Sequence, residues 1–245
     1  MTVRRGRAPR LRPGSELRIG ELSRFDLGRV ARTGVPEVVL AEGKPPQVLV
    51  AMLEELNAAG RGVLVSRLSA AHRRALARAR AGGLPIETLP SGRIARLDGE
   101  FEPPAARGPV ALLTAGTSDR SVADETREVL VALGVEVLPA YDVGVAGLHR
   151  LLRALPGIER RHPRLYLVFA GREGALPTVV AGLVRAPVLG IPTSQGYGRG
   201  GRGEAALNAM LQSCAPIAVV NIDAGVPAAL FAVQLMRATP GAPRG

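Results

Sequence analysis

Five short, nearly continuous apolar runs mark out the second half of the chain: PVALLTA (109–115), VEVLPAY (135–141), RLYLVFA (164–170), APVLGIP (186–192) and PIAVVNID (216–223). Segments of helical character separate them, over 120–133, LHRLLRAL, TVVAGLV and EAALNAMLQSC, and a last one reaches about Arg237. A strand that is apolar on both faces must be covered on both, so the pattern predicts a parallel sheet between two helix layers. Right-handed crossovers then carry every strand-following loop to one edge, the carboxyl edge. The fold class is α/β, a flavodoxin- or Rossmann-like three-layer arrangement.

The first half predicts a smaller α/β unit. ELSRFDLGRVARTG (21–34) reads as a short helix stopped by Gly34, VPEVVLAE (35–42) as a strand closed by the turn GKPP, and QVLVAMLEELNAAG (47–60) as a helix. GVLVSRL (62–68) is a second strand, and SAAHRRALARARAGG (69–83) a helix with Ser69 as its N-cap. PIETLP and RIARL add two short strands, and FEPPAARGP (101–109) has linker composition. The expected organisation is a basic disordered arm (1–20), a small N-terminal domain (21–104) and a larger catalytic domain (105–240).

With 47% hydrophobic and 22% charged residues the chain can build a packed core. No stretch approaches the ~20 apolar residues of a membrane span, and no membrane contact is expected. Cys214 is the only cysteine, which excludes an internal disulfide and a Cys-rich zinc centre. With no apolar leader behind the basic N-terminus, the expectation is a cytoplasmic protein. The net charge of +11 suggests nucleic acid, but residues 1–18 hold six Arg against Glu16, so nearly half the excess sits in the arm. Four Phe, three Tyr and no Trp give few faces for base stacking. No specific nucleic acid is expected; a basic nucleic-acid-binding or scaffold protein is the alternative from another class. Of 32 cationic residues 31 are Arg, and the exception is Lys44. Its survival marks either a place needing a compact ammonium or chance.

The carboxyl-edge loops are GTSD (116–119), DVGVAG (142–147), GREGALP (171–177) and TSQGYGRGG (193–201). Open parallel sheets bind ligands there. Glycines among small hydroxyl and carboxylate residues let backbone N–H groups approach phosphate oxygens closely. Gly116, Thr117, Ser118 and Asp119 are candidates for ribose or phosphate, with helix capping the competing role of Asp119. Asp142 and Gly144 share that ambiguity in the second loop, and Gly174 belongs to the third. Thr193, Ser194 and the run from Gly196 can wrap a nucleotide with Tyr197 as a stacking face, or form a mobile connection. Neither GxGxxG after the first strand nor a Walker A sequence occurs, so residue chemistry alone stops at an enzyme for a phosphate or nucleotide ligand. His72 and His162 read as solvated and His149 as packed or surface-lying. None has metal-ligand spacing, so protein-held zinc is not expected.

At these loops the sequence resembles a known family. AGREGALPTVVAGLVRAPVLGIPTSQGYGRGG followed by LNAMLQSCAPIAVVNIDAG, with GTSD, DVGVAGLHR and PEVVLAEGKPP, is similar to the carboxylase that begins nickel-pincer nucleotide cofactor biosynthesis, the LarB family. The resemblance spans about residues 22–238. The second half also resembles, more distantly, the PurE family of carboxyaminoimidazole ribonucleotide mutases, although that family's catalytic His has no counterpart in YDVGVAG.

The LarB resemblance implies carboxylation of the pyridinium ring of nicotinic acid adenine dinucleotide by CO2 or bicarbonate, with hydrolysis of the phosphoanhydride. The products are AMP and pyridinium-3,5-biscarboxylic acid mononucleotide, and PurE-like mutation of an imidazole ribonucleotide is the alternative. The resemblance makes Cys214 the covalent nucleophile, where the bare sequence favours a small buried hydrophobe near a helix end. It makes Glu173 the proton-transfer or water-activating group, against a solvated loop carboxylate. Arg172, where the family carries an apolar residue, is expected to pair with a substrate carboxylate or to point to water. Lys44 is expected to reach the phosphoanhydride from the smaller domain. Mg2+ carried chiefly by the pyrophosphate is expected, with Asp142 and Asp223 as candidate ligands and no permanently bound organic cofactor. A homo-oligomer, an octamer by analogy, is expected to complete its sites across a symmetric interface.

Overall fold

The computed structural model describes residues 16–19, 23–101 and 108–238. The N-terminal unit opens on a hairpin of β1 (Glu16–Ile19) antiparallel to β2 (Ser23–Asp26). It continues through α1 (Arg29–Thr33), β3 (Val38–Leu40), α2 (Pro46–Ala58), β4 (Val63–Ser66), α3 (Ala70–Ala81), β5 (Ile86–Thr88) and β6 (Ala95–Leu97). The C-terminal unit runs β7 (Val110–Thr114), α4 (Arg120–Ala132), β8 (Val137–Ala140), α5 (Leu148–Glu159) and β9 (Leu165–Ala170). It ends with α6 (Leu176–Ala181), β10 (Val188–Pro192), α7 (Glu204–Leu211), β11 (Ile217–Val219) and α8 (Gly225–Ala238).

All five strands of the second unit are parallel, in the order β11-β10-β9-β7-β8. Central strands β7, β9 and β10 are buried at every position, because helices cover both faces. Leu112, Leu167 and Phe169 pack toward Val122, Val129 and Leu130 of α4 and Ala228 and Ala232 of α8. Their strand neighbours Ala111, Leu113 and Val168 pack toward α5, α6 and α7 through Leu151, Val180 and Met210. Each fully buried Leu or Phe contributes ~1.5–3 kcal/mol by leaving water. This is the α/β architecture the apolar runs predict.

The smaller sheet has the order β3-β4-β6-β5, with β3 parallel to β4 and β6 antiparallel to both neighbours. The two-residue period of β4 sends Val63 and Val65 into a core with α2 and α3, through Leu49, Leu53 and Leu76. Leu64, on the opposite face, joins the same apolar cluster as α4 and α8. Those two helices therefore serve both sheets, and the units share an interior.

Polar ties reinforce the junction from α4. Glu125, 1% exposed, accepts the Arg67 N–H (3.1 Å) and the Arg93 Nε–H (3.0 Å). Glu128 accepts both the N–H (2.6 Å) and the hydroxyl (2.5 Å) of Ser91. Burial pushes the Glu128 carboxyl above its ordinary range, and the Ser91 donors pull it back down.

Three expectations need correction. Residues 21–34 are not one helix; the described part is β2, a turn and α1, because Phe25 is buried beside Leu17 of β1. That partner strand lies in the stretch assigned to the disordered arm; the rest of the arm, and residues 102–107 of the linker, fall outside the described residues. His72 is buried, not solvated: its Nδ1 accepts the Ser69 N–H (3.1 Å) while Ser69 Oγ accepts the His72 N–H (3.2 Å). Since Nδ1 is an acceptor, the ring hydrogen sits on Nε2, which donates to the Lys44 carbonyl (2.8 Å). Finally, α7 stops at Leu211, so Cys214 stands in the turn after it. Ser213 shapes that turn by accepting the Ala215 N–H (3.1 Å) and the Thr178 hydroxyl (2.8 Å). Among the described residues no helix is long and apolar enough to cross a membrane.

Candidate functional site

From β7 the chain steps outward to β8 and then returns past β7 to β9, so the strand order reverses between β7 and β9. In open parallel sheets the crevice beyond such a switch is where ligands settle. Here it lies between the loop 115–119 and the loop 171–174.

Asp119 occupies that crevice, 3% exposed. Its Oδ1 accepts the Thr193 hydroxyl (2.6 Å) and its Oδ2 the Gly116 N–H (2.8 Å), so one carboxyl joins the loops after β7 and β10. Gly171 makes the approach possible: a Cβ there would stand 2.3 Å from Thr193 Oγ1 and 3.0 Å from Asp119 Oδ1. Gly174 is constrained twice, by φ +68° and by a Cβ position 2.5 Å from the Ala206 carbonyl of α7. Gly144 and Gly196 likewise let loop backbones touch. Much of the glycine density thus serves loop-on-loop packing, a role that the sequence pattern does not separate from phosphate binding.

Burial raises the Asp119 pKa, with the nearby Glu173 charge adding to it, against the Thr193 and Gly116 hydrogen bonds. A carboxyl with a raised folded pKa favours the folded state below the ordinary carboxylate range, and that advantage fades as pH climbs through the folded value. Asp119→Asn, which can give its oxygen to Gly116 and its amide hydrogens to Thr193, has no such titration. The unfolding free energy of the variant relative to the wild type, measured in urea from pH 4 to pH 8, should therefore rise with pH. A flat difference would remove the raised pKa.

Glu173 is exposed at the same mouth, as are Thr117 and Ser118. The Arg172 guanidinium stacks over the Tyr197 ring, 4.0 Å from its centroid, and neither lies buried; such an exposed pair contributes ~0.5–1 kcal/mol. Asp142 sits in the left-handed region at φ +56°. Its N–H donates to Thr114 Oγ1 (3.0 Å) and its carboxylate pairs with Arg150. Ser194 donates its N–H to Asp223 Oδ1 (2.9 Å). Lys44 stands in the turn after β3, where its Nζ donates to the Leu40 carbonyl (2.7 Å).

Cys214 is solvent-exposed, so the buried-hydrophobe reading of that thiol falls away. It stands at the other edge of the sheet, however. Ile217 pairs with Val188, and Cys214 precedes that pair while Thr193 lies five residues beyond Val188, about 16 Å further at ~3.3 Å per residue. One chain does not bring Cys214 beside Glu173.

Arg120, unflagged by the sequence, stacks over Tyr141, 4.3 Å from the ring centroid. The Tyr141 hydroxyl donates to Asp124 (2.8 Å), and burial with that carboxylate raises its pKa. Arg67 and Arg93, also unflagged, line a cleft with Glu42, His72 and Asp223. A signal was available for Arg67, which directly follows the apolar run of β4 just as the other site loops follow theirs. Among the described residues no group of three His, Cys, Asp or Glu side chains is placed to hold a metal.

Residues 109–241 match the AIR carboxylase family model, and residues 17–95 match the LarB/PurE-like N-terminal domain. An uncharacterised protein of Methanocaldococcus jannaschii is 38% identical over 221 residues, covering 87% of this chain and 84% of its own. The N5-carboxyaminoimidazole ribonucleotide mutase of the same organism is 28% identical over 133 residues, covering 52% of this chain and 78% of its own. Among solved structures, Treponema denticola PurE aligns with a TM-score of 0.43 at 21% identity, over 54% of this chain and 89% of that one.

Proposed function

The chain belongs to the AIR carboxylase family and carries a LarB/PurE-like N-terminal domain, and from that premise we propose that it carboxylates the pyridinium ring of nicotinic acid adenine dinucleotide and cleaves its phosphoanhydride. A carboxylase or mutase type of enzyme follows from the family itself. The substrate is the proposal, and the observation that carries it is the exposed thiol of Cys214.

A pyridinium carbon is electron-poor and does not attack CO2 unaided. The thiolate of Cys214 adds to ring position 4, and the displaced electron pair neutralises the ring nitrogen. The resulting dihydropyridine is an enamine with a nucleophilic position 5. That carbon forms the new bond to CO2, after which Glu173 removes its proton. The nitrogen lone pair then expels the sulfur, restoring both the aromatic ring and the thiolate. In sum a ring hydrogen is exchanged for a carboxylate, with one proton released.

Asp119, Thr193 and Gly171 hold the mouth in which Glu173 works, and Thr117 and Ser118 offer exposed hydroxyls to the ligand. Because Cys214 and Glu173 lie at opposite sheet edges of one chain, the proposed reaction takes its thiol from a second copy, in a homo-oligomer. Magnesium would arrive with the pyrophosphate and needs only one or two protein carboxylates. The Asp142 carboxylate is paired with Arg150, which leaves most of the coordination of such an ion to the pyrophosphate and water.

The similarity to the mutase favours a second reading, carboxylate transfer on an imidazole ribonucleotide. The loop after β8 is Tyr141-Asp142-Val143-Gly144, without a histidine, and His149 is exposed on α5. One assay separates the two. Incubation with the dinucleotide, bicarbonate and Mg2+ should yield AMP and a doubly carboxylated mononucleotide by mass spectrometry. Turnover of the imidazole ribonucleotide with none of the dinucleotide would reverse the assignment.

A further inference from the structure

The ends of β3 and β4 meet the end of β11 at the junction of the two units. A cleft of about 390 Å3 opens between them, lined by Glu42, Arg67, Ser69, His72, Arg93 and Asp223. Small-molecule sites typically occupy ~300–1,000 Å3.

Its two guanidinium groups are unequally engaged. Glu125 takes only the Nε of Arg93, and the terminal nitrogens of that fork, on a side chain 33% exposed, meet no partner among the described residues. Arg67 donates Nη2 to the Asp223 carbonyl (3.1 Å) and Nη1 to Glu42 (2.5 Å). The Glu42 side chain is 61% exposed, and a solvated pair of this kind adds little stability. An incoming dianion can take Arg67 while Glu42 turns to water. Planar forks of this type suit phosphate oxygens in pairs.

The walls carry a second sign. Arg67 and Asp223, joined across the cleft, both stand at φ +55°, a region that residues with side chains seldom adopt and that gathers at ligand sites. One oxygen of Asp223 takes the Ser194 N–H, and the other remains free to accept sugar hydroxyls. Ser194 follows Thr193, the partner of Asp119, so Asp223 ties the cleft to the loop after β10. His72 has both ring nitrogens committed to backbone partners and forms a wall.

We propose that this cleft between the units binds a nucleoside 5′-phosphate, with Arg93 and Arg67 on the phosphate and Asp223 on the ribose. Resting on the dinucleotide reading above, it seats the adenylate half of the substrate while the pyridinium end lies at Glu173. The N-terminal unit is then part of the substrate site, and AMP is the fragment it releases.

Calorimetric titration of the full chain with AMP, adenosine and inorganic phosphate, without bicarbonate, tests this. AMP should bind more tightly than either fragment. Arg93→Lys keeps a cation facing Glu125 but loses the fork, and should weaken AMP about tenfold. Glu42→Gln, at an exposed position, should leave the unfolding midpoint unchanged and tighten AMP about threefold by releasing Arg67. Opposite effects of the two substitutions support the site. AMP affinity indifferent to both, or phosphate binding as tightly as AMP, overturns it. If AMP binds in this pattern and the wild type does not carboxylate the dinucleotide, the cleft stands and the substrate reading falls. Turnover with AMP binding indifferent to both substitutions does the reverse.

Discussion

Replacing Cys214 with serine should lower carboxylation of nicotinic acid adenine dinucleotide by about 10^3-fold or more, since the hydroxyl neither adds readily to the ring nor leaves it easily. The unfolding midpoint should stay where it is, because the thiol is exposed and no core contact is lost. A sharper result follows from where the thiol sits. Chains carrying Cys214→Ser and chains carrying Glu173→Gln should each be inactive, yet regain part of the activity when assembled together. Only a mixed interface can set an intact thiol against an intact carboxylate. Full activity in Cys214→Ser removes the covalent route. Silence of a proven mixed assembly removes the sharing of the site between copies.

The second large effect concerns stability. Glu125→Leu takes away the acceptor for both the Arg67 N–H and the Arg93 Nε–H, at a position 1% exposed. Losing one partner of a buried charged network costs ~3–5 kcal/mol. Arg93 is a third exposed and can recover some hydration, so the expected loss is about 2–3 kcal/mol, read by urea unfolding. A change under about 0.5 kcal/mol, the usual range for surface substitutions, would mean that the tie from α4 to the smaller sheet is ornamental. Arg67 and Arg93 also line the cleft, so AMP binding should weaken in this variant as well.

What could be read along the chain followed from burial. Strands covered on both faces are continuous apolar runs, so β7, β9 and β10 stand out from their residues alone. The hairpin of β1 and β2 does not, because one inward residue, Phe25, opposed by Leu17 gives no local period to detect. His72 looks solvated among arginines since nothing in the helix names the Lys44 carbonyl that it serves. The carboxyl-edge loops are visible as sequence, whereas their mutual packing through Gly171 and Gly174 depends on contacts between distant segments. The same holds for Cys214. Its position just before a strand places it at the amino edge by register, yet the motif that contains it draws attention to chemistry and away from direction.

The two helices shared by both sheets are also covered unevenly. Under the smaller sheet α4 and α8 still expose Val131 (54%) and Phe231 (43%), while the far layer turns outward Leu148 (41%), Leu152 (51%) and Leu211 (64%). The first unit therefore covers its side of the larger sheet only in part, and apolar side chains meet water on both flanks.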